Sequence, residues 1–154
     1  WVLEAAEGER GILRTDIFSD GSHTDILATD GGVSLSRTAG VLHMEGREVF
    51  RHAVDKMATA SQNALQSLAI APEALDWVIP HQANSRIMTS VMKKLHLPQE
   101  KLVQMVHKHA NTSAATIPLA VDAAVSDGRI CQDHLLALPA LGAGLTWGCS
   151  IIRW

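Results

Sequence analysis

The chain has 154 residues, 47% of them hydrophobic and 19% charged, with a formal net charge of −3. That composition excludes a disordered chain, and a single domain over residues 1–154 would bury roughly two-thirds of its unfolded surface. The longest apolar run, Leu135 to Leu145, falls short of the ~18 residues of a membrane span, and the charge does not favour nucleic acid.

Two cysteines, Cys131 and Cys149, stand 18 apart in aliphatic surroundings, which gives neither a disulfide framework nor zinc spacing. A reducing, cytoplasmic compartment is expected. The chain opens on Trp1 and Val2 without a basic or apolar leader, so no secretory signal is expected. Its first residues, WVLEAA, read as a strand entered midway, as in a piece of a longer chain.

In chain order, residues 1–6 and 11–18 read as strands joined by the turn-prone EGERG, and Ser19 to Gly21 mark a turn. Thr29 to Gly40 lack periodicity and predict a surface loop before a short strand, Val41 to Met44. A helix over about 46–69 follows from Val49, Phe50, Ala53, Val54, Met57, Ala58, Leu65 and Leu68 at helical spacing. Pro72 begins a turn, Asp76 to Ile79 read as a strand stopped by Pro80, and a second helix covers about 84–95. Beyond Pro98, Leu102 to Val106 read as another strand. A third helix capped by Thr112 or Ser113 would end at Gly128, with Pro118 requiring a later start or bent first turns. Leu135 to Leu141 form a buried strand, Gly142-Ala143-Gly144 a tight loop, and Thr146 to Trp154 a closing strand. The alternation predicts an α/β layer with a mixed sheet in one domain.

The mild net charge conceals a gradient. Residues 1–80 carry six basic and twelve acidic side chains, whereas residues 81–109 carry five basic ones (Arg86, Lys93, Lys94, Lys101, Lys108) and one acidic, Glu100. On the second helix Arg86, Ser90, Lys93 and Lys94 share one face, opposite Ile87, Met88, Val91, Met92 and Leu95. Such a face is either an ordinary solvated surface or a docking surface for an acidic partner.

Of eight histidines, His23, His43, His52, His96 and His134 fall in turns or on helix surfaces and suggest no chemistry. His107 and His109 would share a strand face but lack a third ligand, so no metal is expected. His81 differs because it ends a short apolar strand and precedes a helix, in WVIPHQANSRIM, where open α/β sheets bind ligands. A helix N-terminus disfavours imidazolium, so a neutral, donating ring is expected there. The placement recurs where LVQMV runs into HKHANTSAA, with Asn111 before the next helix. Two such donors could meet at one carbonyl oxygen and stabilise an enolate, or each could simply cap its helix. The loop GAGLTWG, residues 142–148, suits both backbone oxyanion donors and a plain hairpin turn. Neither cysteine has a nucleophile's setting, and no serine lies in a GxSxG string.

Three strings carry a family resemblance: PHQAN followed by SR, HANTSAATIP followed by LAVDAAVSDGRI, and LGAGLTWG. From about Val2 to Trp154 the chain resembles the carboxy-terminal half of β-ketoacyl-acyl-carrier-protein synthase III, a thiolase-fold condensing enzyme. The resemblance implies that the chain is one half of a thiolase-like fold. Asn111, where elongating synthases have a second histidine, points to the synthase III or chalcone-synthase-like branch, and NTSAA points to the former. His81 and Asn111 are then implied to bind the malonyl thioester carbonyl and stabilise the enolate, with the backbone N–H of Ala143 in an oxyanion hole. Gln82, Ala83, Asn84, Ser85 and Arg86, with Lys93 and Lys94, match the family's surface for acyl carrier protein, and Phe50 its acyl or dimer region.

The implied reaction is initiation of fatty acid synthesis from acyl-CoA and malonyl-acyl-carrier protein, without a cofactor, in a homodimer. The family's nucleophilic cysteine belongs to an amino-terminal half outside these residues, so the isolated chain is expected to be inactive. A carrier-protein-binding module, an inactive partner subunit and a synthase III relative in secondary metabolism are the alternatives. Ala110 and Ala143 replace the family's usual glycines, and an alanine forced to positive φ there costs on the order of 1 kcal/mol.

Overall fold

A computed structural model describes residues 2–5 and 7–154. The strand expected over 1–6 is absent from residues 2–5, and Trp1 and Ala6 lie outside the described residues. Strand β1 (Gly11–Ser19) is followed by a 3-10 turn, Gly21–Ile26, capped by Asp20, and then by β2 (Leu27–Thr29) and β3 (Leu42–Met44). Helix α1 (Gly46–Ser67), β4 (Trp77–Val78) and α2 (Ser85–Lys94) come next. The chain closes with α3 (Val106–His109), α4 (Thr116–Ser126), β5 (Leu135–Gly142) and β6 (Thr146–Arg153).

The main sheet is mixed, as expected, in the order β1-β6-β5-β4: β4 runs parallel to β5, and the other pairs are antiparallel. Strands β2 and β3 form a separate two-stranded ribbon. Alternation along β5 and β6 sends side chains to both faces of the sheet. Leu135, Ala137, Cys149 and Ile151 pack toward α1 and α2, while Leu136, Leu138 and Ile152 pack with Ala120, Val121 and Ala124 of α4. A parallel strand buried on both faces must be nearly all apolar, which accounts for the run LLALPAL. Helix α1 presents the small residues Ala53, Ala60 and Ala64 to this core, beside Met57 and Leu65, and buried Ser61 returns its hydroxyl to the Met57 carbonyl at 2.9 Å.

The strand expected at Leu102 to Val106 reduces to one bridge, Val78 with Leu102, and one bond from the Val103 N–H to the Val78 carbonyl at 3.0 Å. Two residues later the Met105 N–H turns to the Gln82 side chain instead (2.7 Å), and the backbone winds into α3. His107 and His109 therefore lie on a helical turn, where residues two apart do not face each other, and not on a shared strand face.

Helix α4 starts at Thr116, later than the Thr112 or Ser113 cap expected from sequence. Pro118 thereby becomes its third residue, where a missing N–H costs no helical bond. In the hairpin between β5 and β6, Gly144 takes φ +136°, and within β6 Gly148 lets the neighbouring β1 lie so close that a Cβ there would stand 2.3 Å from the Asp16 carbonyl oxygen.

Ala110, between α3 and α4, has φ +55° and ψ −161°, a region essentially reserved for glycine, and Ser113 is also left-handed at φ +54°. Ala143, in contrast, keeps a negative φ, and Gly144 absorbs the turn. The strain expected at both alanines is thus confined to Ala110. It costs about 1–3 kcal/mol, against about 0.5–1 kcal/mol of extra chain entropy lost by a glycine. Ala110→Gly is accordingly expected to raise stability by about 1 kcal/mol, read from a urea midpoint; an unchanged or lower midpoint would refute the strain.

Candidate active site

His81 lies in the loop between β4 and α2, yet its backbone still belongs to the sheet. Asp76, Ile79 and His81 donate in turn to the carbonyls of Leu135, Ala137 and Pro139 at 2.8–2.9 Å, so the parallel ladder continues past Pro80. The ring is partly buried. Its Nδ1 stands 2.7 Å from the hydroxyl of Thr116, the first residue of α4. Burial pushes the imidazole pKa below its usual value, so the ring is neutral at pH 7. Desolvation produces this shift, and α2 itself begins at Ser85, beyond the Asn84 cap.

Asn111 sits on the exposed loop between α3 and α4. Its Oδ1 accepts from the Ser113 N–H at 2.9 Å, which leaves the Nδ2 amide hydrogens to be offered outward. Thr116 draws the start of α4 onto the His81 loop, and Asn111 stands five residues before it. Ala143 is exposed at the tip of the β5–β6 hairpin, four residues beyond the carbonyl that pins His81. Among the described residues no hydrogen bond joins Asn111 or Ala143 to His81.

The carrier-protein candidates divide by environment. Gln82 is only 1% exposed: its amide donates to the Pro80 and Val103 carbonyls (2.7 and 3.2 Å) and accepts from Met105. Every polar atom of its side chain is thereby spent inside the fold. Ala83 is half-buried against the core, Asn84 accepts from the Ile87 N–H as the α2 cap (2.9 Å), and Ser85 is bonded by Gln104 at 2.5 Å. Arg86 is exposed, with its guanidinium 5.8 Å from the Phe50 ring centre. Lys94 is ion-paired with Asp55 of α1, and Lys101 donates to the carbonyls of Glu73 and Leu75. Lys93 is exposed and has no ion pair among the described residues. The basic face therefore narrows to Arg86 and Lys93, seven residues and nearly two full turns apart.

Cys149 is buried, with its thiol pushed up to about 11, and exposed Cys131 follows α4. Among the described residues no group of three or more His, Cys, Asp or Glu is placed to hold a metal, and no helix is long and apolar enough to cross a membrane. An open groove of about 400 Å³, lined by Thr15, Ile17, Ile117, Pro118, Leu138 and Ala140, runs over the sheet face beside α4 and does not include His81 or Asn111.

Sequence reasoning missed Thr116 and the internal role of Gln82. Pro118 was the available signal for the first, because a proline tolerated only in a first turn sets the helix start two residues earlier.

Residues 65–154 match the family model described as 3-Oxoacyl-[acyl-carrier-protein (ACP)] synthase III C terminal. The beta-ketoacyl-[acyl-carrier-protein] synthase III of Paracoccus denitrificans is 50% identical over 158 residues, covering 99% of this chain and 49% of the relative. That of Brucella suis is 49% identical, with the same coverage. Among solved structures, the 3-oxoacyl-[acyl-carrier-protein] synthase III of Aquifex aeolicus superposes with a TM-score of 0.90 at 36% identity, over 97% of this chain and 46% of that one. The Pseudomonas aeruginosa synthase III gives 0.90 at 36%, over 97% and 47%. The chain spans about half the length of the curated relatives it matches. Its thiolase-like α/β architecture is that of these structures, and the chain belongs to the family of 3-oxoacyl-[acyl-carrier-protein] synthase III C-terminal domains.

Proposed function

We propose that this chain is the carboxy-terminal half of a cytoplasmic, homodimeric 3-oxoacyl-[acyl-carrier-protein] synthase III that condenses acyl-CoA with malonyl-acyl-carrier protein. The observation that carries this reading is His81: a partly buried imidazole kept neutral by desolvation, on a residue whose backbone N–H anchors it to the sheet, in a chain of this family. A neutral ring donates from one nitrogen, and Asn111 offers its amide hydrogens from the neighbouring loop.

The malonyl thioester carbonyl accepts from both donors. As the bond to the carboxylate breaks, carbon dioxide leaves and the electron pair moves onto that oxygen as an enolate, which the preorganised donors stabilise. The enolate carbon then attacks an acyl group held as a thioester on a cysteine, the new carbon–carbon bond forms and the thiolate departs. The backbone N–H of Ala143 serves the tetrahedral oxyanion. The cysteine comes from an amino-terminal half, since Cys149 is a buried free thiol pushed up to about 11 and the Cys131 thiol is turned to the Gly128 carbonyl at 3.4 Å. The uncovered apolar groove beside α4 fits such a half, and the reaction requires no cofactor. The same inert cysteines favour a second reading, a carrier-protein-binding module or inactive partner subunit, in which Arg86 and Lys93 would still dock an acidic partner.

In the full-length synthase, His81→Ala and Asn111→Ala are each expected to slow malonyl decarboxylation by ~10²- to 10³-fold, as loss of an oxyanion donor does. Unchanged rates in both would leave the binding-module reading. Because burial holds the imidazole pKa down, the neutral ring persists as pH falls, so the acidic limb of decarboxylation due to His81 is expected below pH ~6.5. A limb above that value would contradict it. Arg86→Glu combined with Lys93→Glu is expected to weaken carrier-protein binding by about tenfold or more at low ionic strength and far less in ~1 M salt. Equal affinity at low salt would remove the docking assignment.

A further inference from the structure

Thr116 is only 2% exposed, and its hydroxyl lies between two residues of the His81 loop. It accepts from the Gln82 backbone N–H at 3.3 Å and stands 2.7 Å from the His81 Nδ1. A hydroxyl has one proton and two lone pairs. The Gln82 N–H can only donate, so it takes a lone pair. The hydroxyl proton then needs an acceptor, and among the described residues the His81 Nδ1 is the one within reach. The opposite arrangement, Nδ1–H donating to Thr116, would leave a buried hydroxyl proton without a partner. Gln82 is itself immobilised by Pro80, Val103 and Met105, so the direction of the first bond in this chain is fixed by the fold.

We propose that Thr116 is a positioning residue: by donating its hydroxyl proton to Nδ1 it holds the neutral ring of His81 as the Nε2–H tautomer, so that Nε2 is the nitrogen that donates to substrate. The proposal rests on the reading of His81 as a donor and adds what sets its direction. Thr116 does not touch the substrate. It acts through His81, much as groups behind a metal-bound histidine select its tautomer.

The test uses full-length synthase carrying ¹⁵N-histidine, with the His81 signal identified by its loss in His81→Gln. Near pH 7.5 the unsubstituted enzyme is expected to show a bare Nδ1 and a protonated Nε2; the reverse pattern overturns the proposal, and this measurement needs no variant at position 116. Thr116→Val keeps the shape and removes the hydroxyl. It is expected to mix the two tautomers and to lower kcat for malonyl decarboxylation by about tenfold or more, with KM within about twofold, while Thr116→Ser restores both signal and rate. A wild-type rate in Thr116→Val, or a deficit that Thr116→Ser does not restore, overturns it. If His81→Gln decarboxylates at the full rate, the reading of His81 fails and takes the proposal with it. If His81→Gln is impaired while Thr116→Val is not, the tautomer role of Thr116 alone fails.

Discussion

The arrangement around His81 depends on one buried carboxamide. Gln82 closes three backbone groups at once, two carbonyls and one N–H, at the place where a two-residue strand gives way to irregular chain. Irregular backbone has no ladder to satisfy its polar groups, and each one left unpaired in the interior costs about 1–3 kcal/mol. Because the Gln82 side chain replaces the missing strand neighbour, the segment after Val103 can leave the sheet and curl into α3. That departure is what carries the chain to Asn111.

A second constraint couples the two sides of the site. The loop bearing His81 leaves the sheet edge, and α4 covers the opposite face from α1 and α2. Thr116 joins them through a single oxygen bonded to both His81 and Gln82. The position of α4 is therefore tied to the orientation of the imidazole, and the strained turn at Ala110 lies just upstream of that junction. Strain of this kind persists where the surroundings over-determine the backbone, and here the segment runs between two buried residues, Met105 and Thr116.

The sequence was most legible where periodicity is long. Helix α1 and strands β5 and β6 appear within about two residues of their expected limits, because a 22-residue amphipathic stripe and a buried apolar run admit few other structures. Leu102 to Val106 looked like a strand, but periodicity cannot register that a side chain, Gln82, would take over the hydrogen bonds of a strand neighbour. The basic face of α2 was legible as composition, not as availability. Lys94 and Lys101 are committed to Asp55 and to backbone carbonyls that come from elements distant in sequence. His81 stood out because strand end, proline and helix start are adjacent in sequence; Thr116 did not, since its partners lie 34 and 35 residues away.

The bond from the His81 N–H to the Pro139 carbonyl has a dynamic consequence. Strand β5 is interior to the sheet, flanked by β4 and β6, so the His81 backbone is tied to a strand that is itself held on both sides, and moving it means breaking the bonds between β4 and β5. Asn111 is held by one local turn on an exposed loop, and such loops move on nanosecond to microsecond timescales. The two residues are thus held differently: His81 is pinned to the sheet, whereas Asn111 can shift with its loop without disturbing it.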